Sequence, residues 1–339
     1  MNRIPRRVFL QGAAATVGGA FASGALQSLV AEAAGGYTHT RPPLGPVADL
    51  RDGIVRLHLP PGFCYRSFHD TDIDTTTTPP VTLPDGTILP GRHDGMGAFR
   101  ARHGKVWLVR NHEVNGPGAA FGPNPAGPDD APYDSMAQGG TTTSLVTTRG
   151  EVLDAFTSLN GTQMNCSGGR MPWGSWITCE ETVNGPDVGA DFTGASNVGL
   201  TQRHGFIFEV PAGGKSNRQP IVAAGRFAHE AAAYSPREGI VYLTEDNFGF
   251  PSGLYRYKPP RNPMRTGCLE DGGCLQMLRV VGVPNAHLEA TQVNGASYKV
   301  DWVDIDDPNP TFPYTPGSPA PTANNDAIVH VGNQGRAQG

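Results

Sequence analysis

The sequence predicts an all-β protein, with a β-propeller as its architecture. Three observations lead there. Gly and Pro number 45 and 31 of 339 residues, more than a fifth of the chain, against the roughly 12% usual in globular proteins, so turns are dense. β-branched and aromatic residues recur in short runs bounded by Gly, Pro or Asn. One Gly-strand-Pro unit is also written twice, from Gly205 to Pro211 and from Gly253 to Pro259, 48 residues apart. That spacing matches a four-stranded blade of roughly 40 to 50 residues.

In chain order the strand runs are 55–59, 105–109, 173–178, 205–210, 240–244, 254–258 and 328–331. Each alternates apolar with other residues or is continuously β-branched and aromatic, the pattern of a strand with one or both faces buried. Gly139-Gly140-Thr141-Thr142-Thr143 reads as a turn leading into a strand, because no Lys follows to make it a phosphate loop. A Pro/Thr-rich segment from Pro42 to Pro80 lacks a helical period and is expected to wrap a surface. Helical candidates are few, with one short turn expected near 285–289.

Residues 1–33 read as a signal peptide. Arg3, Arg6 and Arg7 form a basic start, an uncharged Ala/Gly-rich stretch runs from Val8 to Val30, and Ala31-Glu32-Ala33 supplies a small-residue cleavage site. Arg6-Arg7-Val8-Phe9-Leu10 resembles a twin-arginine export signal, which names the twin-arginine machinery as a partner and the periplasm or the cell exterior as the destination. Gly12, Gly18, Gly19 and Gly24 weaken the stretch as a membrane span. Cleavage after Ala33 leaves 23 basic against 30 acidic residues, a charge of −7 where the whole chain has −5. With no basic run past the N-terminus, nucleic acid is a poor partner.

Five cysteines suit an oxidising compartment only in part. Cys268 and Cys274 flank the turn-prone Leu269-Glu270-Asp271-Gly272-Gly273, a loop a disulfide would close. Cys64, Cys166 and Cys179 are left, so at least one thiol stays free for burial or metal ligation.

The run 173–182 ends a strand with Thr178-Cys179-Glu180-Glu181. A thiolate is a soft ligand suited to iron, copper or zinc and carboxylates suit calcium, so the run fits a site holding more than one kind of ion, and equally fits a small buried Cys beside a solvated acidic turn. Arg110-Asn111-His112-Glu113, His229-Glu230 and Thr244-Glu245-Asp246-Asn247 place acids at three further strand ends. His229 and Glu230 suit either ligands or an acid/base pair. No G-x-S-x-G, H-E-x-x-H, Walker or Rossmann pattern occurs, which removes support for serine hydrolases, zincins and nucleotide-driven enzymes.

Taken together, the runs resemble the PhoX family of secreted alkaline phosphatases. The resemblance rests on His93-Asp94-Gly95-Met96, Val109-Arg110-Asn111-His112-Glu113, Gly139-Gly140-Thr141-Thr142, Asn165-Cys166 with Pro172-Trp173-Gly174, Thr178-Cys179-Glu180-Glu181, and Gly225-Arg226-Phe227 with His229-Glu230. Val303-Asp304-Ile305 with Asp307-Pro308, and Gln334-Gly335-Arg336 with Gln338-Gly339, continue it. It implies a propeller of six blades, iron and calcium in a central channel, and hydrolysis of small phosphate monoesters. It also implies Cys179 as an iron bridge, with Glu230 and one or both of Glu180 and Glu181 as carboxylate ligands. Glu113, Glu245 and Asp246 follow as further metal ligands, and Arg226 and His229 as catalytic residues. The family's Gly-Asp-Asp run is replaced here by Thr244-Glu245-Asp246-Asn247, and its F-x-R-x-E-G motif is expected beyond Gly339. Residues 34–339 are therefore expected to be a propeller domain lacking its C-terminal part. Two rival functions share the architecture: a calcium-dependent propeller hydrolase of lactones or phosphotriesters, and a non-catalytic binding propeller.

Overall fold

A computed structural model describes residues 43–71, 80–123, 131–189, 197, 199–247, 251–288, 292–312 and 330–338. The signal peptide, residues 72–79 of the Pro/Thr-rich segment and residues 328–329 lie outside the described residues. The chain divides into two compact units, Met1–Tyr65 and Arg66–Gly339.

The first unit is a hairpin. β1 (Gly45–Ala48) pairs antiparallel with β2 (Val55–Leu59), and Asp49 caps the turn by accepting the Arg51 N–H at 2.8 Å.

The second unit holds three antiparallel sheets, each a meander in chain order. The first comprises β3 (His93–Arg100), β4 (Val106–His112), β5 (Gly139–Val146) and β6 (Val152–Thr162). The second comprises β7 (Asn165–Arg170), β8 (Ser175–Glu180) and β9 (Ile207–Pro211). The third comprises β10 (His229–Ser235), β11 (Ile240–Glu245), β12 (Leu254–Lys258), β13 (Cys274–Val280) and β14 (Val300–Asp304). The two copies of the Gly-strand-Pro unit form β9 and β12, the third strand of consecutive sheets.

One prediction fails locally. Val331 opens a helix, α1 (Val331–Gln338), rather than closing a strand, while the described part of 285–289 forms turns. Val331 and Gly335 lie one turn apart and are both buried, so one face of this short helix is seated on the protein.

The second sheet is covered on both faces, which explains why every residue of β8 is buried. Trp176, Phe206, Phe208 and Val210 pack with Phe99 and Val109 of the first sheet. Ile177, Cys179 and Ile207 pack with Ala232, Val241, Leu243, Tyr255 and Leu275 of the third. The period of two along β8 sends Trp176 to one layer and Ile177 and Cys179 to the other. The opening strands β3, β7 and β10 are neighbours, and glycine lets them close in. A Cβ on Gly95 would stand 2.7 Å from the Cys166 carbonyl oxygen, and one on Gly169 would stand 1.8 Å from that of Ala232.

Candidate metal centre

One arrangement recurs in all three sheets. The opening strand and its partner end on a register pair: His93 with His112, Asn165 with Glu180, and His229 with Glu245. The next residues along are Asp94 and Glu113, Cys166 and Glu181, Glu230 and Asp246. In each sheet the register shifts just after the pair, between His93 and Met96, between Asn165 and Gly168, and between His229 and Ala231. The bulge carries the first donor out of the ladder, and the end of the partner strand frees the second. Six donor residues thus occupy equivalent places.

They meet. A Cys166 Sγ and carboxylate oxygens of Glu181 and Glu230 all lie within 4.8 Å of one another. Burial first, then the charges of Glu230, Asp246, Glu113 and Asp94, push the Glu181 carboxyl up to about 8. Burial likewise raises Glu230, with Asp246, Asp94 and Glu113 adding to it and the Cys166 thiol opposing. Asp94 is raised by burial and by Glu113. Five carboxylates thus crowd one place, and the basic contact at the rim is Arg92, whose Nη2 lies 2.7 Å from Glu113 Oε2. The thiol and the carboxylates of Glu181 and Glu230 form one compact donor group able to hold a cation, with Asp94, Glu113 and Asp246 within electrostatic range of it.

The support beneath is polar and buried. Asn111 Nδ2 donates to the carbonyls of Cys166 and Ser167, each at 2.8 Å, and its Oδ1 accepts the Trp176 indole N–H at 2.9 Å. This clamp fixes the bulge that presents the thiol. Asn165 adds a bond to Thr178 Oγ1 at 3.0 Å and accepts from Thr162 at 2.6 Å.

The structure brings Glu181 and Glu230 together with Cys166, sets Glu113 and Asp246 within electrostatic range of them, and turns other expected residues elsewhere. Cys179 is fully buried in the apolar layer shared by the second and third sheets, and Cys166 takes the place beside the acids. The alternation of β8 leaves Cys179 no route out, whereas the bulge of β7 exposes Cys166 to the carboxylates. Glu180 points the other way: Oε1 accepts from the Gln163 N–H at 2.9 Å and the His204 ring at 2.7 Å, and Oε2 accepts the N–H groups of Gly205 and Phe206 at 2.8 and 3.0 Å. Its oxygens are spent on structure. Glu245 accepts from the Gly253 N–H and the Tyr255 hydroxyl at 2.7 and 2.9 Å, facing the core.

Neither candidate catalytic residue faces the cluster. Arg226 is fully buried, paired with both Asp187 oxygens at 2.6 and 2.9 Å and bonded to the carbonyls of His204, Val183, Asn184 and Pro310. His229 bonds Gly225 O at 2.9 Å through Nε2 and lies against the Phe227 ring at 3.6 Å, where burial lowers its pKa to about 3. The expected Cys268–Cys274 bridge is not formed. Both are thiols, with Cys268 Sγ 2.9 Å from Arg265 Nε and Cys274 Sγ 3.4 Å from Asp304 Oδ1.

Cys166 and Asp94 are the residues that reading the sequence for site residues passed over. The signal was present in the paired dipeptides His93-Asp94 with His112-Glu113, Asn165-Cys166 with Glu180-Glu181, and His229-Glu230 with Glu245-Asp246. In each, a residue that closes the ladder precedes a donor.

Fold and site define an all-β protein with a thiol-carboxylate centre where three sheets meet. The family model for alkaline phosphatase PhoX matches residues 43–156 and 150–338, and the chain belongs to that family. No curated protein and no solved structure matches it.

Proposed function

We propose that this protein is an exported, metal-dependent phosphatase acting on phosphate monoesters, with its active centre at Cys166, Glu181 and Glu230. The observation that carries the reading is the threefold recurrence of a donor pair at the ends of consecutive sheets, in a chain of the PhoX family. Cys166, Glu181 and Glu230 would hold iron, and Asp94, Glu113 and Asp246 would hold calcium. Bound there, the ions supply Lewis-acid polarisation of the phosphoryl oxygens and an activated nucleophile, so no side chain needs to be phosphorylated.

The chain's own part is to hold the donors. Asn111 pins the Cys166 bulge, Glu180 pins the strand end that delivers Glu181, and the glycines of β3 and β7 keep the three opening strands close. Three meander sheets meeting along those strands support a propeller with the site at its axis. Among the described residues no helix is long and apolar enough to cross a membrane. Export by the twin-arginine route to the periplasm or beyond rests on Arg6-Arg7-Val8-Phe9-Leu10.

The test is hydrolysis of p-nitrophenyl phosphate by protein expressed from its whole reading frame, with chelator added and calcium then restored. Turnover should vanish and return, and Glu230→Gln should lower it by about two orders of magnitude, the scale of losing one transition-state electrostatic contact. A folded, metal-loaded protein without turnover would overturn the reading in favour of a lactone or phosphotriester hydrolase or a binding propeller.

A further inference from the structure

Arg110 and Arg226 are both buried guanidinium groups, 8% and 0% exposed, yet their surroundings differ. Arg226 has a two-pronged ion pair with Asp187 and four carbonyl acceptors. Arg110 has one long bond, from Nη2 to Thr142 Oγ1 at 3.3 Å, and its buried Nε has no acceptor. Among the described residues no carboxylate pairs with it, and burial alone acts on its proton affinity. A buried charge without a counter-ion is costly, so it calls for a partner.

The neighbours do not supply one. Alternation along β4 puts Arg110 and His112 on one face and Asn111 on the other, and Asn111 faces the second sheet. The Thr142 hydroxyl is shared between Arg110 and His112 Nε2, the latter at 2.9 Å, while His112 Nδ1 is taken by Gly91 O at 3.0 Å. His93 sets its ring edge-on to His112, with centroids 5.1 Å apart. His69 lies within electrostatic range of Arg110, and its buried Nδ1 also has no partner. Two unfilled polar atoms therefore sit on side chains within electrostatic range of each other, a cation and an imidazole, and the acid acting on this group is Asp70, which raises His93 and not Arg110.

We propose that Arg110 and His69 form a binding site for a small oxyanion, on the face of the first sheet opposite Asn111. A guanidinium fork and an imidazole N–H match two oxygens of a phosphate or a carboxylate. The site needs none of the metal ligands, so it stands or falls apart from the catalytic reading.

Calorimetric titration of the purified, metal-loaded protein tests it, with inorganic phosphate in one arm, acetate in another and chloride at equal ionic strength as the reference. The wild type should bind one oxyanion more than Arg110→Met does, in addition to any phosphate held at the metal centre, while Glu230→Gln keeps that extra site. Arg110→Met removes an unpaired charge at similar volume, so it should melt in chloride no lower than the wild type. His69→Phe is the second variant and should weaken the same site at least tenfold. Loss in the phosphate arm assigns phosphate, and loss in the acetate arm alone assigns a carboxylate. Equal stoichiometry and affinity in wild type and both variants, or no binding in either arm, would overturn the proposal.

Discussion

The Cys166 thiol lies 3.3 Å from the carbonyl oxygen of His229 and reaches across from β7 to β10. This contact sets the thiol beside the Glu230 side chain, and it depends on both strands bulging at the same level. Cys179 lies in the next strand, with its own carbonyl 3.7 Å from the Cys166 sulfur.

The two cysteines should therefore separate by experiment. Cys166→Ser is expected to lower bound iron, measured by elemental analysis, and to lower phosphatase turnover with it. Cys179→Ser puts an extra hydroxyl into the apolar layer and should cost about 1–3 kcal/mol of stability, read by denaturant unfolding, with metal content retained. The reverse pattern would return the bridging role to Cys179.

Asn111 makes three hydrogen bonds to the bulge and to Trp176, two of them buried. At about 0.5–1.5 kcal/mol each, Asn111→Ala is expected to destabilise the protein by roughly 2–4 kcal/mol. It should also loosen calcium and iron, so that chelator strips the variant faster than the wild type. An unchanged stripping rate would mean that the clamp supports the fold without positioning the thiol.

Gly169 has no room for a side chain. The added Cβ of Gly169→Ala would fall 1.8 Å from the Ala232 carbonyl oxygen, so backbone must move. Overpacking of this kind costs about 1–3 kcal/mol, and the upper end is expected here because the obstacle is main chain. The displacement separates β7 from β10, so turnover should fall alongside Tm. Gly174→Ala, also in the second sheet's turn region, has open space around it but a φ of +90°, so its cost is strain alone and turnover should be retained once folded.

His204 gives a pH signature. Burial pulls its pKa down, but the charges of Glu180 and Asp134 outweigh burial and raise it to about 9 from an ordinary 6.5. The folded state therefore holds a proton that the unfolded state releases. That contribution to stability is complete below pH 6.5 and is lost as the pH rises through 9. Tm should decline across this window, and His204→Gln should start lower and flatten the decline. A wild-type Tm that is level from pH 6.5 to 9 would contradict the charged pairing.

Strand recognition succeeded where side chains carried the pattern. Val55–Leu59 and Leu254–Lys258 are strands over the span read from their β-branched and aromatic residues. β3 and β7 escaped notice because His-Asp-Gly-Met-Gly-Ala-Phe-Arg and Asn-Cys-Ser-Gly-Gly-Arg are poor in strand formers. Their glycines answer to close packing between opening strands, a demand that local propensity does not register.

The acids at strand ends, the dense turns and the family were written in the sequence, because strand-forming runs and the motifs beside them are local properties of the chain. Which donors meet was decided by tertiary structure. A bulge of a residue or two changes the face to which everything beyond it points, so Cys166 and Asp94 turn to the shared centre while Cys179, Glu180 and Glu245 turn into the core. That choice depends on how β3, β7 and β10 close against one another, and no spacing along a single strand encodes it.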